Sequence, residues 1–239
     1  MFFLPYRVIV QYSFDGLWKG RTPGMKKPVQ KKSHGLSRRV HFTEDEQRIP
    51  WLAPLLEAYA IADTGVAIAV RDEKKKRREE LACARGCGNC CEHQKDLPFY
   101  PHELVGIYWY VSEKIDPPAR DILKSRLAAH TSESACPFLI DHACSIHAVR
   151  PIGCRQFNVF STPCAPGEDP YYTRRGDVLT PLADYTDRAF ASVLPFYHIR
   201  KEDELSRSIR LVRAQIMNMQ TFDWKKLVAI LAEAKSRGK

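Results

Sequence analysis

Beyond residue 42, apolar residues fall at three- and four-residue steps over most of the chain, the spacing of helices with one buried face. The first run is Leu52, Leu55, Leu56, Tyr59, Val66 and Val70. It is preceded by Thr43 and Glu46, three apart as in a capping box, which predicts a helix starting at Thr43. Gly65 weakens the middle of that helix without breaking it. Its end, Arg71 to Glu80, mixes both charge signs at (i, i+4) distances, as a solvated helix face does. A second helix opens at Pro101 and runs to about Ile115, turning Leu104, Ile107, Tyr108 and Val111 inward. Asp116-Pro117 starts a third, with Ile122, Leu123 and Leu127 as its apolar face. Two more are predicted near the end: Leu205, Ile209, Val212, Ile216 and Met219 form one, and Trp224, Leu227, Val228 and Leu231 the other. Strand signals are thin, with Val8–Tyr12 and Phe157–Phe160 the best of them. No repeat is visible. The pattern predicts a mainly α protein: a small helical domain closed over an irregular, cysteine-rich loop region.

Charge divides the chain differently. Of a net +9, almost all lies in residues 1–42, where Arg7, Lys19, Arg21, Lys26, Lys27, Lys31, Lys32, Arg38 and Arg39 face Asp15 alone. The stretch is punctuated by Gly and Pro and has no periodicity, so residues 1–42 are expected to be a disordered basic arm. Residues 43–239 are expected to form one nearly neutral domain. Basic arms tether nucleic acids, but aromatic residues are sparse among these charges, and a solvated tail is the expectation. Met25, followed by KKPVQKK, is an alternative start, which would make residues 1–24 foreign to the native protein. Residues 1–14 lack a leading basic segment and a small-residue cleavage site, so they are not read as a secretory signal. No stretch is expected to reach the roughly 18 uncharged apolar residues of a membrane span.

All eight cysteines lie between residues 83 and 164: Cys83, Cys87, Cys90, Cys91, Cys136, Cys144, Cys154 and Cys164. An even number allows a disulfide framework, but that requires an oxidising compartment. A cytoplasmic location and a metal site are the expectation instead. Cys83-x3-Cys87-x2-Cys90 can converge on one metal from a single loop. Cys91, if the backbone is extended there, points to the opposite face and serves a second metal; if the loop turns sharply, it joins the same cluster. The other four are separated by seven, nine and nine residues, so the chain must fold back several times to bring them in. Two four-cysteine zinc sites, or one iron–sulfur cluster with a further metal, both satisfy these spacings.

The segments CARGCGNCC, CPFL and CSIHAVRPIGCRQF, in this order, resemble the bacterial cysteine-cluster family named for its CxxCxxCC motif, a zinc- or iron-chelating domain. The resemblance covers about residues 83–164 and implies all eight cysteines as ligands. Two departures stand out: three residues, not two, separate Cys83 from Cys87, and His147 stands where the family commonly carries Tyr. The domain is similar to part of the flagellin lysine methylases, which implies an alternative function as an iron–sulfur-dependent protein-modifying enzyme or an electron-transfer partner.

Arg150 and Arg155 bracket Cys154 and are candidate cofactor-binding residues. Four thiolates on one divalent cation leave excess negative charge, which guanidinium groups offset while donating N–H bonds to sulfur. His147 has plausible ligand spacing; His93 and His142 lie close by in sequence. Glu92, Asp141 and His142 are the acid–base groups available to an enzyme. The Cys83-x3-Cys87-x2-Cys90 spacing also occurs in radical S-adenosylmethionine enzymes. Asn89 in place of the aromatic residue used there, and the helical remainder, argue against that reading. A phosphate-binding Walker loop, a GxGxxG turn and a nucleophile elbow are all absent. The expected partner is a metal ion, zinc or iron, with no membrane and no nucleic acid.

Overall fold

The computed structural model describes residues 39–84, 86–197, 199 and 204–237, the last five by backbone alone. Most of the expected arm, the alternative start at Met25 and the strand at Val8–Tyr12 lie outside these residues. The arm's end is well placed. Arg39 binds Glu46 (2.8 Å) and Glu57 (3.3 Å), and the Phe42 ring meets Trp109 edge-on at 5.0 Å.

Among the described residues there are ten α-helices and two minimal sheets. The expected first helix is two: α1 (Thr43–Arg48) and α2 (Leu52–Arg77). They part at Ile49-Pro50-Trp51 because Pro50 has no N–H to donate and restricts the residue before it. Phe42, not Thr43, is the N-cap, and Glu46 reaches back to the Phe42 N–H (2.9 Å), one residue off the expected box. Then follow α3 (Asn89–His93), β1 (Pro98–Phe99), α4 (Pro101–Glu113) and α5 (Pro117–Ala129). After these come the hairpin of β2 (Leu139–Ile140) and β3 (Ala143–Cys144), α6 (Ile152–Gln156) and α7 (Pro170–Thr173). The chain closes with α8 (Ala183–Ser192), α9 (Leu205–Arg213), β4 (Met217–Asn218) and α10 (Lys225–Arg237). β1 pairs antiparallel with β4, Phe99 opposite Met217.

Several periodic positions turn out otherwise. Ile122, Leu205 and Ile216 are more than half exposed, and the run through Met219 is a nine-residue helix followed by a strand. Phe157–Phe160 makes only two isolated bridges, Leu81 to Phe160 and Val159 to Val178. The helix α8 carries few apolar residues and has no counterpart in the sequence reading.

The long helix α2 organises the core. Leu52, Leu55, Leu56, Ala58, Tyr59 and Ala62 are buried along it, against α8, α6 and α4. By length and composition α2 is also long and apolar enough to cross a membrane. Its apolar face is occupied here by protein, and Glu57 and Asp63 interrupt it. Trp224 seals the far side, stacked on Phe99 at 5.5 Å and edge-on to Phe138 at 4.9 Å.

Gly65 marks the closest approach of α2 to α8. A Cβ there would stand 2.5 Å from the Cβ of Tyr185, an atom tied to the α8 backbone, so a side chain must push the helices apart. Gly65→Val is expected to cost about 2 kcal/mol through overpacking, read as a lower urea midpoint. An unchanged midpoint would mean that α8 moves freely on α2.

Candidate metal centre

The eight cysteines arrive on four segments, and α3 stands among them. Cys83 lies in the strand-like stretch after α2, where its Sγ accepts a hydrogen bond from the Val159 N–H (3.3 Å). Cys87 follows a turn closed by its own N–H to the Ala84 carbonyl and is exposed. Cys90 and Cys91 are in α3. The backbone is helical there and not extended, so the expected opposite facing does not occur and the two thiols touch. Cys136 precedes the hairpin, Cys144 ends β3, Cys154 is in the centre of α6 and Cys164 lies in the loop before α7.

Two backbone ties hold α3 in place. The Cys136 N–H donates to the Cys91 carbonyl (2.8 Å), and the Asn89 side-chain amide donates to the Cys164 carbonyl (2.9 Å). Gly88 makes the approach possible, since a Cβ there would lie 2.4 Å from the His142 carbonyl oxygen. The facing hairpin turn is itself tight: Asp141 and His142 both have positive φ, 49° and 58°. Only a two-residue turn of this hand joins β2 to β3 without splaying them, and Asp tolerates it better than most residues.

The thiols are unpaired and mostly half-buried. Burial pushes Cys136 up to about 12 and Cys164 up to about 11, and lifts Cys83, Cys144 and, most strongly, Cys154. Cys90 is raised by its contact with Cys91 first and by burial second. A thiolate is the form that binds zinc or iron, so each of these sulfurs is costly to ionise until a cation compensates it. Among the described residues no three His, Cys, Asp or Glu side chains are drawn together as a finished metal shell.

The two arginines divide. Arg155 is buried and ties α6 into the fold: Nη1 to Asp63 (2.6 Å), Nε to the Arg150 carbonyl (2.8 Å) and Nη2 to the Ala148 carbonyl (2.8 Å). Its guanidinium lies 4.2 Å above the Tyr59 ring. These bonds go to oxygen and not to sulfur, so Arg155 sets the position of its neighbour Cys154. Arg150 is different. Its Nε is buried with no hydrogen-bond partner, and its charge favours the thiolates of Cys83, Cys90 and Cys144. An orphaned guanidinium donor beside unpaired thiols fits a centre whose sulfurs carry negative charge.

Of the histidines, His93, His142 and His147 are exposed. His142 Nδ1 meets Glu92 Oε1 at 3.0 Å, which places two of the three candidate acid–base residues on the surface beside α3. Spacing gave no sign of Glu103. Its carboxylate is fully buried and accepts two backbone bonds, from Tyr100 N–H (2.9 Å) at its own helix start and from Ile152 N–H (2.7 Å) at the start of α6. It thereby fixes the segment that presents Cys154. An acidic residue at the third helical position is an ordinary capping signal; the second bond belongs to the tertiary structure.

The arrangement is a mainly helical domain whose eight free cysteines lie on and around one short helix. Residues 82–175, less than half the chain, match the CxxCxxCC family, described as "Putative zinc- or iron-chelating domain". The matched segment holds eight of the elements just described and all eight cysteines, in agreement with the resemblance drawn from the motifs. No curated protein and no solved structure matches the chain. The likeness to flagellin lysine methylases therefore gains nothing from these comparisons.

Proposed function

We propose that this protein binds zinc or iron through its eight cysteines. The cysteines carry the reading: all eight are unpaired, the segments of Cys136 and Cys164 are tied to α3 by hydrogen bonds, and the Nε of Arg150 is buried without a partner. Burial alone would leave these thiols protonated, a state with no evident use for eight clustered sulfurs. A bound cation displaces the protons and repays the desolvation. The donor set is entirely sulfur and suits zinc and iron–sulfur chemistry equally; calcium and magnesium prefer oxygen. When bound, the metal would cross-link the loops and act as the staple that their short secondary structures lack. Because free thiols persist only under reduction, the reading includes a reducing compartment such as the cytoplasm. Metal binding and storage, or delivery, is the function it supports best.

The test is anaerobic purification followed by metal and acid-labile sulfide analysis, with a visible spectrum. Iron with matching sulfide and a brown colour is the expected result for an iron–sulfur protein. Colourless protein with about two zinc ions is expected for closed four-cysteine sites. Metal-free protein with thiols oxidised in pairs would sink the proposal.

A further inference from the structure

The eight cysteines do not pack as one body. Cys136, Cys144 and Cys154 all lie against the main hydrophobic core, the cluster that includes Phe138, Ile146, Val149 and Ile152. Cys83 and Cys164 belong to a separate small cluster with Val159 and Val178, partly covered by Phe157. The chain itself explains the separation. Cys83 and Cys164 flank the two bridges, Leu81 to Phe160 and Val159 to Val178, which bring together the end of α2 and the loop after α6. Cys136 and Cys144 instead flank the β2–β3 hairpin, and Cys154 rides on α6 under Glu103. Cys87 sits in the loop that runs from Cys83 to α3 and shares the outer side.

The helix α3 bridges the two groups. Its Cys91 carbonyl is bonded to Cys136 of the inner group, and its Asn89 side chain is bonded to Cys164 of the outer one. Cys90 and Cys91 are adjacent on this helix, whose two ties run one to each group. We infer that the domain holds two separate four-thiolate metal centres. The inner one is built on Cys136, Cys144 and Cys154, the outer one on Cys83, Cys87 and Cys164, and the Cys90–Cys91 pair gives one sulfur to each. This rests on the metal-binding reading above and deepens it. Two trios, each lacking one ligand, and a vicinal pair on the helix tied to both account for all eight thiols with none left over. Four is also the number a closed structural zinc site requires.

The inner centre is braced by the core, whereas the outer centre contains the exposed Cys87 and is open to chelators. The metal-free full-length protein would be titrated anaerobically with Zn²⁺ and bound metal counted per chain. The set comprises wild type, the singles Cys87→Ser and Cys144→Ser, and two double variants. Wild type is expected to bind two ions and each single variant one. Cys87→Ser with Cys164→Ser removes two ligands from one centre and is expected to keep one ion, no worse than either single. Cys87→Ser with Cys144→Ser breaks both centres and is expected to bind none. Far-ultraviolet circular dichroism on each variant separates lost ligands from lost fold, and Cys154→Ser replaces Cys144→Ser if the latter is unfolded. A single variant that empties both centres, or a within-group double that binds less than its singles, would overturn the division while leaving metal binding intact. No zinc in the wild type would overturn the metal-binding reading, and the division with it.

Discussion

Glu103→Ala is expected to lower the unfolding free energy by about 4 kcal/mol. Each buried N–H left without an acceptor costs roughly 1–3 kcal/mol, and Glu103 serves two, those of Tyr100 and Ile152. Truncating a fully buried side chain adds the loss of its packing. Glu103→Gln retains a single good acceptor and is expected to fall between the alanine variant and the wild type. The carboxylate also joins the start of α4 to the start of α6, so the alanine variant is expected to release metal more readily from the centre that includes Cys154. Urea unfolding measures the first effect and chelator competition the second. A loss below about 1 kcal/mol for the alanine variant would show that water reaches both N–H groups and that the carboxylate is dispensable.

Mild acid is the second large effect, through His102. This histidine is 1% exposed, enclosed by Tyr100, Phe190, Phe196 and Tyr197, and bonded through Nδ1 to the Tyr197 hydroxyl at 2.7 Å; its Nε2 has no partner. Burial alone lowers it from 6.5 to about 3, so the folded protein keeps the ring neutral where the unfolded chain would protonate it. In that window the unfolded state binds more protons, and stability falls as pH falls. The loss begins near 6.5 and is complete only below about 3, at about 1.4 kcal/mol per pH unit. The adjacent Glu103 acts with the opposite sign. Burial raises its carboxyl from 4.5 to about 7, so its contribution is fully present below 4.5 and is lost as pH rises through 7. The wild-type profile combines the two, and the difference between wild type and His102→Phe isolates the histidine. The phenylalanine variant is expected to gain about 2 kcal/mol on wild type between pH 7 and pH 5, in parallel urea titrations. Equal slopes for the two proteins would mean that His102 is hydrated or finds a second partner.

Both predictions concern residues that sequence reading had no means to select. His102 and Glu103 stand in the helix α4, whose existence and start the periodicity and Pro101 do indicate. That α4 buries a histidine and a carboxylate depends on the aromatic box from α8 and its following turn, and on the chain crossing back at Ile152. Periodicity weighs an isolated helix, and it assigned polar residues outward. For the same reason it placed Ile122, Leu205 and Ile216 inward although no element covers them, and it passed over α8, whose polar sequence is held by packing on α2. The break at Pro50 was within reach, because proline and its predecessor restrict the backbone locally.

The candidate site divides along the same line. Cysteine count, spacing and the short CP and RP contexts are local chemistry, and by themselves they pointed to the family whose model matches residues 82–175, while apolar periodicity gave the mainly helical frame. The grouping of the thiols depends on contacts between residues far apart in the chain, from Cys83 to Val159 and from Cys91 to Cys136. It depends as well on α3 being helical, whereas the opposite facing of Cys91 was conditional on an extended backbone. Only the tertiary structure decided that Arg155 binds Asp63 and backbone carbonyls while the Nε of Arg150 is buried without a hydrogen-bond partner. A guanidinium bonds whichever acceptors the fold brings within about 3 Å, and sequence proximity to a cysteine does not reserve it.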